Sequence, residues 1–121
     1  MKRYALSTLV FLLLAPAALY AQKRAFTVED LYRIKSISDV HVSPDGKSLI
    51  YSLGVSDLPR AKQVSHIWLM DIDGSNPRQM TQGEKSENSP SFSPDGKWIL
   101  FISDRDGSGN LYVMPVAGGE A

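Results

Sequence analysis

Val42-Ser43-Pro44-Asp45-Gly46-Lys47-Ser48-Leu49-Ile50-Tyr51 returns 50 residues later as Phe92-Ser93-Pro94-Asp95-Gly96-Lys97-Trp98-Ile99-Leu100-Phe101. A second pair of matching segments, Ile67-Trp68-Leu69-Met70 and Leu111-Tyr112-Val113-Met114, is offset by 44 residues. The first copy is therefore six residues longer, and the surplus falls in Gly54–Ser65, which reads as a loop. A period of this length belongs to stacked or radial repeat architectures.

Each copy has a physical reading. In Ser-Pro-Asp-Gly-Lys the proline presets φ, the aspartate favours the next turn position, and glycine accepts the positive φ that closes a hairpin. Val40 and Val42 alternate with polar neighbours ahead of the first turn, as a half-buried strand does. Behind the turns, Ser48–Leu53 and Trp98–Ile102 are almost unbroken apolar runs, which suit strands covered on both faces. Third strands follow at His66–Asp71 and Asn110–Met114. Asp73-Gly74-Ser75-Asn76 turns the chain into a fourth, outer strand at Pro77–Thr81, where an edge position tolerates the proline. Four antiparallel strands in about 45 residues make a β-propeller blade.

The expected fold is all-β: one complete blade over 39–83 and an incomplete second over 88–121, together a partial propeller over 39–121. The chain ends at Gly118-Gly119-Glu120-Ala121, where the second blade's fourth strand is due. Propellers close with at least four blades, so the sequence reads as the amino-terminal piece of a longer protein. By itself the piece is expected to be partly folded or to aggregate, because sheet faces and strand edges lack partners.

Two segments precede the repeats. Residues 22–38 form a lead-in with a capped helix over about 28–36. There Thr27 and Asp30 are spaced for a capping box, Phe26 and Leu31 for a hydrophobic staple, and Glu29 and Asp30 for the positive end of the helix dipole. Residues 1–21 read as a signal peptide: Lys2 and Arg3, an apolar run from Tyr4 to Leu14, then Ala15-Pro16-Ala17-Ala18. Cleavage is expected after Ala21, with Ala15-x-Ala17 marking an earlier alternative. An uncleaved anchor is the competing reading, although the run is shorter than the ~20 residues of a membrane span. The mature protein is expected in the periplasm or secreted, free of the membrane.

Composition narrows the chemistry. Thirteen Lys+Arg balance thirteen Asp+Glu, so no basic field exists to hold nucleic acid. With no cysteine there is no disulfide framework, thiolate metal site or thiol nucleophile. No Gly-x-Ser-x-Gly elbow occurs, the nearest approach being Gly54-Val55-Ser56-Asp57-Leu58. His41 and His66 read as surface or loop residues. Asp104-Arg105-Asp106-Gly107-Ser108-Gly109-Asn110 has oxygen donors at alternate positions, like a calcium loop, and Asp71–Asn76 echoes it more weakly. Both lack the distal bidentate Glu and sit at turns that favour these residues anyway. Trp68, Trp98, Phe101 and Tyr112 read as blade packing rather than a ligand platform. No catalytic residue, metal ligand or cofactor is assigned, and no substrate-binding residue can be placed.

The two Ser-Pro-Asp-Gly-Lys units, with Ile67-Trp68-Leu69-Met70-Asp71 and Leu111-Tyr112-Val113-Met114, resemble the propeller repeats of TolB-like proteins and of the prolyl oligopeptidase family of serine peptidases. The lead-in Phe26-Thr27-Val28-Glu29-Asp30-Leu31, followed by Ile37–Lys47, looks like the mature start of exported peptidases of the acylaminoacyl-peptidase and dipeptidyl-peptidase type. Ser103-Asp104-Arg105-Asp106-Gly107 is also common in that group. The resemblance implies a propeller that gates access for short peptides to an α/β-hydrolase domain bearing a Ser-Asp-His triad. Neither that domain nor the missing blades lie in this sequence. The alternative it implies is a non-enzymatic TolB-like periplasmic propeller that binds proteins. The short lead-in counts against that layout, since TolB-like proteins place a sizeable α/β domain before the blades. A propeller-based polysaccharide-degrading enzyme is a third possibility.

Overall fold

The computed structural model describes residues 24–119. The signal-peptide reading and its cleavage site lie outside the described residues. The elements are α1 (Val28–Leu31), β1 (Ser36–Val42), β2 (Ser48–Asp57), β3 (Lys62–Asp71), β4 (Arg78–Gln79), β5 (Glu87–Phe92), β6 (Trp98–Ser103) and β7 (Asn110–Pro115). They form an antiparallel four-stranded sheet, ordered β1-β2-β3-β4, and a three-stranded sheet, ordered β5-β6-β7. This is the expected all-β arrangement of one whole blade and three strands of the next.

The repeated turns form the same set of bonds. In the first, Gly46 N–H donates to the Ser43 carbonyl at 2.9 Å, and Ser48 N–H to the Ser43 hydroxyl at 2.9 Å. Asp45 Oδ1 accepts from the Ser43 hydroxyl at 2.6 Å and from Lys47 N–H at 3.1 Å. In the second, Ser93, Asp95, Gly96, Lys97 and Trp98 repeat these bonds within 0.1 Å. Gly46 and Gly96 take φ of 73° and 69°, a region where a Cβ is costly. The Ser43 and Ser93 hydroxyls, followed by the Lys47 and Lys97 amides, hold Asp45 and Asp95 below the usual carboxylate range.

The sheets pack face to face. Ile50, Ile67 and Leu69 of the first meet Ile99, Phe101 and Met114 of the second, with Met80, Phe92, Tyr112 and Val116 at the margin. The register explains the selection. Ile50 pairs with Leu69 and Ser52 with Ile67, so these residues share one face of the first sheet. Ile99 pairs with Met114 and Phe101 with Tyr112 on the facing surface of the second.

Several expectations are corrected. The helix closes after one turn, because Ser36 is already paired with Gly54 in the β1–β2 ladder. Its cap is present: Thr27 N–H donates to Asp30 at 2.9 Å, while Arg24 also binds that carboxylate and depresses its pKa. Phe26 and Leu31 nevertheless stay exposed. Gly54–Ser65 is largely ladder rather than loop: β2 and β3 remain paired from Gly54↔Ser65 to Asp57↔Lys62. The turn is confined to the residues between, where Ala61 N–H donates to the Leu58 carbonyl at 3.0 Å. Gly54 is needed in this extension, since a Cβ there would lie 2.5 Å from Ser36 Oγ, which accepts from Gln63 Nε2. The fourth strand shrinks to two residues. Thr81 then takes over from the ladder, its hydroxyl accepting from Ile67 N–H at 2.9 Å.

Burial differs between the copies. Ile50 to Leu53 of β2 are buried on both faces, as expected. In β6 burial alternates, and Trp98 (47% exposed) and Leu100 (41%) stay open, so Trp98 is not blade packing within the described residues. Val40 and Val42 are also exposed, because β1 is an edge strand whose ladder breaks between Ser38 and His41. The open positions follow the repeat. Ile50, Ile67 and Leu69 correspond to Leu100, Leu111 and Val113, so the face by which the first sheet covers the second is bare on the second.

Candidate functional site

The chemistry-bearing side chains converge at Glu87, the first residue of β5, whose side chain is 2% exposed. His66, halfway along β3, reaches it across the seam between the sheets, with Nδ1 2.8 Å from Glu87 Oε2. One hydrogen between Nδ1 and the carboxyl oxygen closes this contact. Glu87 Oε1 accepts from the Ser103 hydroxyl at 3.3 Å and lies 3.8 Å from the Arg105 guanidinium. Ser103 Oγ accepts in turn from the Arg105 backbone N–H and Nε, both at 3.2 Å. The guanidinium lies over the Tyr112 ring at 4.5 Å and the Phe101 ring at 5.6 Å, two rings that stack on each other. Below the carboxylate, Ser65 Oγ donates to the Glu87 carbonyl at 2.9 Å, and the Ser86 hydroxyl accepts from Ser65 N–H at 3.3 Å.

Each part follows from local sequence. Thr81 ends the β3–β4 ladder, which frees the connector to cross the seam and deliver Ser86 and Glu87 against β3. Ser103 ends β6, and the turn after it closes through Gly107 N–H to the Asp104 carbonyl at 3.0 Å, swinging Arg105 back over the aromatic pair. A carboxyl group this deep needs both charge partners and hydrogen bonds, and the cluster supplies both.

The arrangement anchors rather than reacts. Ser103 donates to a carboxylate, not to a histidine, so the nucleophile–base contact of acyl transfer is not built here. His66 is therefore not a surface or loop histidine: its side chain is 16% exposed and lies in the seam. His41 is exposed on β1. In the Asp104–Asn110 loop, Asp106 accepts from the Tyr112 hydroxyl, a bond that raises the tyrosine pKa. In the Asp71–Asn76 turn, Asp73 is bonded by the Ser75 hydroxyl and amide, which depress its pKa. Among the described residues no group of three or more His, Cys, Asp or Glu is placed to hold a metal ion, and no helix is long and apolar enough to cross a membrane.

Glu87 escaped the sequence reading, yet a signal was present. At the 50-residue offset Glu87, Ser103 and Arg105 replace Ile37, Leu53 and Val55. Three apolar positions turn polar together, which marks a compensated cluster.

Above the seam, the extended β2–β3 hairpin is braced by Arg60, which pairs with Asp57 at 3.4 Å and Glu84 at 2.6 Å, and by Lys62 Nζ donating to the Glu84 carbonyl at 2.7 Å. A cleft of about 590 Å³ lies beside it, lined by Val55, Leu58, Val64 and His66 among others.

Comparison with known proteins places this geometry. The chain is 35% identical over 100 residues to the uncharacterized peptidase YuxL of Bacillus subtilis, covering 82% of this chain and 15% of that one. It is 33% identical over 85 residues to dipeptidyl-peptidase 5 of Porphyromonas gingivalis, covering 70% of this chain and 12% of that one. The chain thus spans about a seventh of the length of these two relatives. Among solved structures, a putative TolB from Agrobacterium tumefaciens superposes with a TM-score of 0.54 at 35% identity, covering 67% of this chain and 27% of that one. Residues 31–121 match the TolB β-propeller domain. On that match, the chain belongs to the TolB β-propeller domain family.

Proposed function

We propose that this chain is the amino-terminal propeller portion of an exported serine peptidase that hydrolyses short peptides. The propeller gates access to a catalytic domain elsewhere in the longer protein. The observation that carries this reading is the similarity to two peptidases of which the chain spans only about a seventh. The bare Leu100, Leu111 and Val113 face adds support, because a third blade would cover it as the second covers Ile50, Ile67 and Leu69. Residues 1–21 would direct export to the periplasm or medium, with cleavage after Ala21. Serine attack on the peptide carbonyl, with histidine as general base and an oxyanion hole, would be the work of the downstream domain.

A second reading, a non-enzymatic TolB-like propeller that binds proteins, is supported by the likeness to the solved TolB structure. The coding sequence beyond Ala121 separates the two. A Gly-x-Ser-x-Gly elbow a few hundred residues on, followed by Asp and then His, supports the peptidase. A stop soon after the last blade supports the binding module. The full-length product is expected to cleave aminoacyl or dipeptidyl reporter substrates, and the 121-residue chain to cleave neither. Labelling of the short chain by a serine-directed probe would contradict the proposal.

A further inference from the structure

Two residues 50 apart, Asp39 and Ser89, occupy the left-handed region with φ of 51° and 52°, each four residues before its Ser-Pro-Asp-Gly turn. That conformation is uncommon for anything but glycine, asparagine and aspartate. Both mark a bulge. The β1–β2 register skips between Ser38 and His41, and the β5–β6 register between Asn88 and Ser91. A bulge leaves backbone groups outside the ladder, and these need other partners. β1 and β5 are neighbours across the seam, and there the Ser89 amide donates to Asp39 Oδ2 at 3.2 Å. The same oxygen lies 3.4 Å from the hydroxyls of Ser38 and of buried Ser52. One carboxylate thus receives the displaced amide of the next sheet while tied to its own.

We infer that Asp39 is an inter-blade joint, which locks the first strands of adjacent blades in register by accepting the bulge amide of the following blade. The left-handed backbone aims the side chain across the seam, and the carboxylate makes the contact. In blade two the same position presents the Ser89 hydroxyl. A third blade would seat its own bulge amide on that oxygen; this extension rests on the proposed reading that further blades follow.

The test separates backbone from carboxylate. Asp39→Gly frees the left-handed backbone and removes the acceptor, whereas Asp39→Asn tolerates the backbone and keeps one acceptor oxygen. Hydrogen exchange on the full-length protein, resolved by overlapping peptides that begin at or before Ser86, reports this contact at the Ser89 amide. Its exchange should quicken about tenfold in Asp39→Gly and stay within about twofold of wild type in Asp39→Asn, with β2 still protected in both. Unchanged exchange in Asp39→Gly would overturn the joint, as would equal quickening in the two variants. In Ser89→Ala, slow exchange at a third blade's bulge amide would overturn the extension alone. A full-length protein without any third blade would overturn the reading on which the extension rests, and leave the Asp39 result standing.

Discussion

At their Ser-Pro-Asp-Gly-Lys turns the first and second sheets are interchangeable, with the same bonds to within 0.1 Å and glycine φ of 73° and 69°. At the seam they diverge. Where the first carries Ile37, Leu53 and Val55, the second carries Glu87, Ser103 and Arg105. Ile37 is 62% exposed, while Glu87 is sealed against His66. A repeat therefore preserves what each unit needs to fold its own hairpin, and varies what each needs to meet its neighbour. The turn is a local problem with one solution. The seam is a pairwise problem, and the first and second sheets meet different neighbours.

The contrast can be tested by substitution in the full-length protein, with stability read by urea unfolding. The largest effect is expected where both sheets contribute: Phe101→Ala, in the shared core, should cost about 3–5 kcal/mol. A loss below about 1 kcal/mol would mean that the sheets do not bury each other. Next comes the divergent position. Glu87→Ala leaves the His66 ring and the Arg105 guanidinium without their shared partner and should cost about 3 kcal/mol. Ile37→Ala, its repeat counterpart, strands no charged partner and should cost less, about 1.5 kcal/mol from lost apolar contact alone. Equal losses at the two positions would erase the distinction. The shared position should respond evenly: Gly46→Ala and Gly96→Ala should each cost about 1 kcal/mol through positive φ. Unequal losses would show that the turns are not equivalent.

The smallest effect is titration of the turn carboxylates. Asp45 and Asp95 are depressed chiefly by the Ser43 and Ser93 hydroxyls, so the folded state holds their protons less tightly than the unfolded chain. Their contribution is complete above the ordinary carboxylate range, about pH 4, and fades as pH falls through the depressed values. Asp45→Asn and Asp95→Asn should each flatten the acid limb of stability against pH, by equal amounts. A steeper limb in either variant would reverse the sign of the argument.

These comparisons also show why some of the structure was legible in sequence. The turns, strand order and sheet count could be read because turn residues and apolar alternation act over a few residues. The length of the first hairpin was not legible. Val55 and Val64 continue its ladder, but the Gly and Pro around them read as loop. The helix was over-extended for a related reason: Ile34 and Ile37 keep helical spacing, while pairing with distant Gly54 claims the chain at Ser36. The Glu87 cluster is held together by long-range contacts: only Ser103 and Arg105 are near in sequence, and His66 and Glu87 reach them across two sheets. Only the coordinated departure from the repeat betrays it.

Hydroxyl-radical footprinting of the full-length protein, resolved to single residues, tests the central claim most directly. It compares Leu111 and Val113, 69% and 50% exposed, with their repeat counterparts Ile67 and Leu69. If this chain is the start of a propeller whose blades stack front to back, all four residues should be equally shielded. Strong labelling of Leu111 and Val113 beside protected Ile67 and Leu69 would contradict it.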